Sequence, residues 1–298
     1  MKLMILDGNS IVNRAFFGVR PLNAPDGTPT NALYGFLAIL QRLLEEQKPE
    51  AVCVSFDLKA PTFRHRAYDG YKAKRAGMPE ELAVQMPILK ELLDDMGIRR
   101  YELEGYEADD ILGTIAKRSE KEGLAVSLVS GDRDLLQVAD ENTQIVIPKT
   151  KGGQTNYEHY TPADVMEAWH VTPEGFIELK ALMGDSSDNI PGLPGVGPKT
   201  AAKIMETFGS IENARAHADE IKPKKAMEAM RDHYEDLLLT LKLVTIRKDA
   251  PVTFDQETFR IGNIYNAKSY EFFKRLGFKS LLGRFEEKPA GDVSSDDS

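Results

Sequence analysis

Asp7, Asp57, Asp132 and Asp134 share a position in the pattern of this chain: each comes just after a short apolar run. Asp7 follows Leu3–Leu6, Asp57 follows Val52–Phe56, and the other two follow Val126–Val129 within Ser130-Gly-Asp-Arg-Asp. In open α/β sheets, sites form at the carboxyl ends of strands, so these acids would meet on one rim. Two more acidic groups stand further along. Glu107, Asp109 and Asp110 lie in Tyr106-Glu-Ala-Asp-Asp at the start of a helical pattern, and Asp185 and Asp188 lie in Gly184-Asp-Ser-Ser-Asp-Asn. Taken singly, each has an ordinary explanation. Acids in a first helical turn suit the helix dipole, and Asp after a strand caps a turn. Taken together, nine carboxylates on one rim repel one another unless cations hold them. An all-oxygen donor set selects hard cations, Mg²⁺ or Mn²⁺, and the absence of His and Cys disfavours zinc. Two such ions about 4 Å apart suit phosphodiester hydrolysis, one activating a water and both stabilising the attacking and leaving oxygens.

A cationic segment follows Asp57 directly. Residues 59–77 hold Lys59, Arg64, Arg66, Lys72, Lys74 and Arg75 against Asp69, with Phe63, Tyr68 and Tyr71 interleaved. A run of charge is often only a solvated face. Beside acids of this kind it reads as a mobile element that gathers phosphates, with aromatics able to stack on bases. Lys72 and Arg75, three apart on a helix, would share a face. A third feature is Gly192-Leu-Pro-Gly-Val-Gly-Pro-Lys-Thr-Ala. Gly195 and Gly197 permit a tight turn and close backbone approach. The turn runs into a helix start whose free N–H groups suit phosphate, with Lys199 and Lys203 adding charge. Pro198 stands where a Walker loop needs glycine. The pattern is that of a helix-hairpin-helix, which grips duplex DNA by its backbone without reading sequence.

The elements that would position these groups alternate. Leu3–Leu6, Ala51–Phe56 and Leu124–Val129 read as strands buried on both faces, with a weaker strand at Gln144–Ile147. Helical patterns occupy Thr30–Glu46, Glu81–Asp95 and Ala108–Glu122. The alternation predicts an α/β fold with a mostly parallel central sheet flanked by helices. From Thr161 the pattern turns helical: Thr161-Pro and Thr172-Pro each look like an N-cap with proline at the first helical position. Helix continues to Val244, and Phe272–Phe285 reads as one more helix. The expected domains are a core over 1–165 carrying a basic arch at about 59–80, a helical subdomain over 166–285, and a disordered tail or linker over 286–298.

Composition removes other classes. The 298 residues are 42% hydrophobic and 29% charged, an ordinary globular mix. No apolar stretch reaches the length of a transmembrane helix, and the N-terminus shows no signal-peptide pattern. One cysteine, Cys53, allows no internal disulfide and no thiolate zinc site, and its apolar surroundings predict a buried, inert thiol. A cytoplasmic protein is expected.

These motifs, in this order, together with Leu6-Asp-Gly-Asn-Ser, Arg14-Ala-Phe-Phe, Phe56-Asp, Phe63-Arg-His and Tyr71-Lys-Ala-Lys-Arg, closely resemble the 5′-nuclease (flap endonuclease) family. The nearest likeness is to the N-terminal 5′→3′ exonuclease domain of bacterial DNA polymerase I, and it covers residues 1–285. The resemblance implies a PIN/resolvase-like core followed by a helical subdomain with an H3TH-type hairpin. It implies that the nine carboxylates hold two or more Mg²⁺ or Mn²⁺ ions, some directly and some through water. It places Lys72 and Arg75 on arch residues that contact the scissile phosphate, Tyr71 on an arch aromatic and Arg14 on an active-site arginine. Gly192, Gly195, Val196, Gly197, Lys199, Thr200, Lys203 and Arg64 become expected DNA contacts, with K⁺ at the hairpin.

The expected function is a metal-dependent, structure-specific 5′ nuclease acting on flaps, nicks and RNA-primed 5′ ends in primer removal and repair. It would be a nucleoid-associated monomer, either stand-alone or part of a chain with a polymerase. A non-catalytic junction binder would need only the arch and hairpin, and would not keep anionic groups near phosphates. A PIN-type ribonuclease would share strand-end acids but lack the hairpin, and a haloacid-type phosphatase would need an acid two residues after Asp7. The net charge of −9 argues against nucleic-acid binding only as an average. Without the nine site acids and residues 286–298, 37 basic residues face 33 acidic ones. The distribution of charge, not its total, is the informative quantity.

Overall fold

The structure, a computed structural model, describes residues 1–151 and 154–285. The expected tail, 286–298, lies outside the described residues. In chain order the elements begin β1 (Lys2–Asp7), α1 (Gly8–Gly18), α2 (Asn31–Gln47), β2 (Ala51–Ser55), α3 (Phe63–Ala67), α4 (Glu80–Asp95), β3 (Arg99–Tyr101) and α5 (Ala108–Lys121). They continue with β4 (Ala125–Val129), β5 (Thr143–Lys151), β6 (Gln154–Tyr160), α6 (Pro162–Trp169), α7 (Pro173–Met183), β7 (Gly184–Asp185) and β8 (Ile190–Pro191). The last are α8 (Pro198–Phe208), α9 (Ile211–Ala216), α10 (Lys224–Asp232), α11 (Tyr234–Val244), α12 (Ala267–Arg275) and α13 (Lys279–Leu282). This is the mostly parallel sheet with flanking helices, followed by a helical region, that the alternation predicts. Among the described residues, no helix is long and apolar enough to cross a membrane.

Two compact units divide the chain, and neither is continuous in sequence. The first takes residues 1–56, 78–101 and the described residues from 255 onward; the second takes 57–77 and 102–254.

In the first unit β1 and β2 run parallel, Leu3 opposite Ala51 through Asp7 opposite Ser55. Beyond β2 lies β3, also parallel, with Cys53 opposite Arg99. Every residue of β2 is buried, as are Leu3 to Asp7 of β1. Burial of successive residues, whichever way they point, explains why these strands are continuous apolar runs rather than alternating ones. Cys53 is buried at the centre, where burial pushes its thiol well above the usual range. The start of α2 has no side-chain cap of its own. Gln85 of α4 reaches across instead: its Oε1 accepts from the amides of Ala32 (2.8 Å) and Leu33 (3.2 Å). Helix N-termini leave such donors unpaired, and a buried unpaired amide costs about 1–3 kcal/mol. The segment after 255 closes the unit. Ile261 donates to the carbonyl of Glu50, and Phe273 packs edge-on to Phe278 and Phe285. The single helix expected over Phe272–Phe285 is two helices, α12 and α13, because Gly277 turns the chain with φ +74°.

In the second unit β4 and β5 pair in parallel, Val126 opposite Thr143, while β6 returns antiparallel to β5, Ile145 opposite Tyr160. Thr161 and Thr172 cap α6 and α7 as expected, their hydroxyls accepting from Asp164 and Gly175. Helix α7 packs against α8 and α11. The hydroxyl of Thr240 in α11 donates to the carbonyl of Pro191 at 2.8 Å, fixing the approach to the glycine hairpin.

Candidate active site

Helix α5 begins with a capping box. Glu107 is the N-cap, and the side chain of Asp110 reaches back to the Glu107 amide at 3.0 Å. This arrangement satisfies first-turn donors and places two buried carboxylates side by side at one helix start. Asp57, just past β2, takes the amide of Ala108 at 2.7 Å. Burial raises its carboxyl pKa, and the amide bond offsets this only in part.

The basic segment folds onto these acids. Lys72 donates through Nζ to Glu107 Oε1 at 2.6 Å and sits 3.9 Å from Asp188. Arg75 pairs with Asp188 at 2.7 Å. The Tyr71 hydroxyl, buried, lies 2.8 Å from Glu107 Oε2 and 3.2 Å from Asp188 Oδ2. The backbones interlock as well: the Lys72 amide donates to the Asp188 carbonyl, and the Asn189 side chain donates to the Gly70 carbonyl. Lys72 and Asn189 both adopt left-handed conformations, φ +56° each, at this junction. Burial pushes the Glu107 carboxyl upward, but Lys72 and Arg64 outweigh it and hold Glu107 below the ordinary range. An open cleft of about 380 Å³ is lined by Asp57, Lys59, Thr62, His65, Lys72, Arg75 and Glu107, among others.

A second group forms where β4 and α7 end. Asp132 Oδ1 accepts from the Asp134 amide at 2.8 Å. Lys180, in the last turn of α7, bridges Asp134 (2.8 Å) and Asp185 (3.1 Å). Asp185 also takes the amide and hydroxyl of Ser187. Burial raises its pKa, but the Ser187 bonds and Lys180 leave it lowered. Asp134 differs: burial and the neighbouring Asp132 carboxylate push it from 3.8 up to about 6 despite Lys180.

That shift carries a stability prediction. The folded state binds the Asp134 proton more tightly than the unfolded chain. Its contribution is therefore complete below pH 4 and lost as pH rises through about 6. Asp134→Asn should stabilise the metal-free protein at pH 7 by about 2 kcal/mol, and by nothing at pH 3.5. Thermal unfolding in chelator across this pH range measures the difference.

Asp57, Glu107, Asp188, Tyr71, Lys72 and Arg75 come together, as do Asp132, Asp134 and Asp185. Asp109 lies in the first turn of α5, half-buried. Asp7 and Arg14 belong to the first unit, where Asp7 ends β1 and caps α1 by accepting from the Ser10 amide at 2.9 Å. Asp110 is fully buried and paired with Arg64. Arg64 is a correction: expected at DNA phosphates, it is 3% exposed, and its guanidinium turns inward to Asp110, Glu107 and two main-chain carbonyls. Lys180 is absent from the expected site. A lysine in the last turn of a helix satisfies the dipole and carries no other signal. Among the described residues, no three or more His, Cys, Asp and Glu side chains are already gathered around one point. The ammonium groups of Lys72 and Lys180 stand between the carboxylates instead.

The hairpin follows from two close glycine contacts. Gly184 (φ +73°) and Gly192 face each other across the β7–β8 pair so closely that a Cβ on Gly184 would lie 2.3 Å from the Gly192 nitrogen. Gly195 (φ +76°) lies under the side chain of Lys225. Val196 is buried; Lys199 and Lys203 are exposed; Thr200 is half-buried. Gly197 is the N-cap of α8 and offers no side-chain acceptor to its first-turn amides.

The chain matches two family models. Residues 2–170 match the 5′-3′ exonuclease N-terminal resolvase-like domain, and residues 171–267 match the 5′-3′ exonuclease C-terminal SAM fold. It is 47% identical to DNA polymerase I of Bacillus caldotenax over 98% of this chain and 34% of the relative. It is 45% identical to DNA polymerase I of Bacillus subtilis over 97% of this chain and 33% of the relative. The chain thus spans about a third of the length of these curated relatives. In fold it is similar to the bacteriophage T5 D15 flap endonuclease, solved as a complex with DNA and metal ions. The TM-score is 0.66 at 23% identity, covering 96% of each chain.

Proposed function

Since the chain belongs to the 5′-3′ exonuclease family, we propose that it is a structure-specific nuclease cutting 5′ flaps and nicked or RNA-primed 5′ ends near a duplex junction. The observation that carries this reading is the docking of Lys72 and Arg75 on Glu107 and Asp188. A cationic arch that closes on acids can exchange those carboxylates for a phosphate once other cations hold the acids. Lys72 and Arg75 then bind the scissile phosphate, and the Tyr71 hydroxyl keeps Glu107 and Asp188 oriented. The first-turn amides of α8, with Lys199, Thr200 and Lys203, hold the duplex backbone, which fixes register without reading bases. Gly192, Gly195, Val196 and Gly197 shape the turn that lets the backbone approach, and Arg14 keeps its expected role as an active-site arginine.

The donor chemistry fits divalent cations. The set is all-oxygen, and burial together with the neighbouring Asp132 carboxylate raises Asp134 to about 6, which Lys180 offsets only in part. Asp7, Asp57, Glu107, Asp109, Asp110, Asp132, Asp134, Asp185 and Asp188 are the residues that would hold two or more Mg²⁺ or Mn²⁺ ions, directly or through water. When bound, such ions supply an activated water and neutralise charge on the reacting phosphate. K⁺ at the hairpin is part of the same proposal. The relatives being DNA polymerases, the cellular work proposed is primer removal and repair at the nucleoid, coupled to a polymerase.

Incubating the protein with a 5′-flap duplex in Mg²⁺ and in EDTA tests this. The expected result is cutting near the junction in Mg²⁺ alone, leaving a 5′-phosphate. Equal cutting in both conditions, or none in either, overturns the proposal.

A further inference from the structure

Arg64 stands apart from the other cations of its segment, which are half-buried or exposed. Its guanidinium reaches in three directions. Nε donates to the Leu243 carbonyl (2.7 Å) and Nη2 to the Thr245 carbonyl (2.8 Å), at the end of α11. Nη1 and Nη2 hold Asp110 at 2.7 and 2.9 Å. Nη1 also meets Glu107 at 3.2 Å. Carbonyls at a helix end lack intrahelical partners and favour a cation. Helix α11 is tied to the hairpin approach by Thr240, and Glu107 is the carboxylate that Tyr71 and Lys72 engage. One side chain therefore spans the helix behind the hairpin, the capping box of α5 and the acid under the arch.

Stability alone is a poor account of this arrangement. A buried ion pair is often matched by well-packed apolar residues of similar size. What a planar five-donor fork adds is fixed geometry. We infer that Arg64 is a positioning residue, an internal anchor by which α11 and the α5 capping box hold the basic segment and Glu107 in register.

The inference rests on the nuclease reading for one of its two tests. Arg64→Lys keeps a positive charge against Asp110 but loses the fork. The folded variant should bind a 5′-flap duplex within about threefold of the wild type. At saturating DNA its single-turnover cleavage should fall by about 10- to 100-fold, as misplacing a site by about an ångström does. Without DNA or metal, trypsin should cut after Lys72, Lys74 and Arg75 about tenfold faster than in the wild type, since local opening controls such cutting. An unchanged cleavage rate in the folded variant overturns the inference. So does a loss of affinity matching the loss of rate, which would make Arg64 a DNA contact. If the variant does not fold, the wild type alone decides: rapid trypsin cutting across 72–75 overturns the anchor, and resistance supports it. A wild type that cuts no flap refutes the nuclease reading, while the protease result still judges the anchor.

Discussion

Replacing Lys72 with alanine should lower single-turnover cleavage of a 5′-flap duplex by about a thousandfold while changing duplex affinity by less than about threefold. The ammonium lies 2.6 Å from Glu107 and is largely shielded from water, so its field is weakly screened. Burial alone would lower its pKa, but Glu107 and Asp188 outweigh burial and raise it. Lys72 therefore stays charged through neutral and mildly alkaline pH, and its contribution should not titrate away there. A single ammonium adds little to a duplex grip spread over the hairpin. In its proposed place beside the reacting phosphate it would stabilise charge that develops only in the transition state. Lys72 already has φ +56°, and alanine carries the same Cβ, so the substitution adds no backbone strain. Pre-steady-state cleavage and equilibrium binding on one substrate separate the outcomes. Loss of affinity equal to the loss of rate would make Lys72 a ground-state contact.

Much of the fold is legible in the sequence. The runs Leu3–Leu6 and Ala51–Phe56 announce β1 and β2 because strands covered on both faces are continuously apolar. Strand β3 does not show itself, being three residues long and opening with Arg99 and Arg100. Strand β6, Gln154–Tyr160, is polar throughout most of its length and resembles a loop. Among the site residues, the carboxylates stand out because Asp after an apolar run is a distinctive pattern. Their partners do not. Nothing in a run of six cations distinguishes Arg64, which turns inward, from Arg75, which faces an acid. That choice is made by tertiary contacts with residues 110, 243 and 245. Lys180 is hidden for the same reason: its two acids come from Asp134, far away in sequence, and from Asp185, just beyond its own helix.

Gly184→Ala should be the most damaging substitution in the hairpin region, costing about 3 kcal/mol or more. The residue has φ +73° and ψ −176°, a conformation essentially confined to glycine. A Cβ there would lie 2.3 Å from the Gly192 nitrogen and 2.6 Å from the Ile190 carbonyl oxygen. Both neighbours are main chain, so no side chain can rotate away. The pair Gly184–Gly192 closes the neck of the turn that presents Asp185 and Asp188, and the same neck leads into the hairpin. Forcing it open should move both acids and the proposed duplex grip together. The expected result is a lower urea midpoint, about tenfold weaker duplex binding and cleavage reduced further still. A variant with wild-type stability and affinity would show that the close approach is dispensable.

The division of the chain between two units bears on how the molecule is made. The path crosses between them four times, after residues 56, 77, 101 and 254. The second unit has all its residues once Phe254 has been synthesised, whereas the first still lacks its closing segment. At 5–20 residues per second, the roughly 150 residues between β3 and that segment mean a delay of roughly 8–30 s. During this interval the apolar surfaces later covered by Phe259, Tyr270 and Phe273 have no partner. A nascent chain stalled so that residues 1–254 have left the ribosome, with the following segment still in the exit tunnel, should thus display a protease-resistant second unit and a sensitive first one. The nascent chain would carry most of its proposed site in finished form while still depending on chaperones for its N-terminal strands.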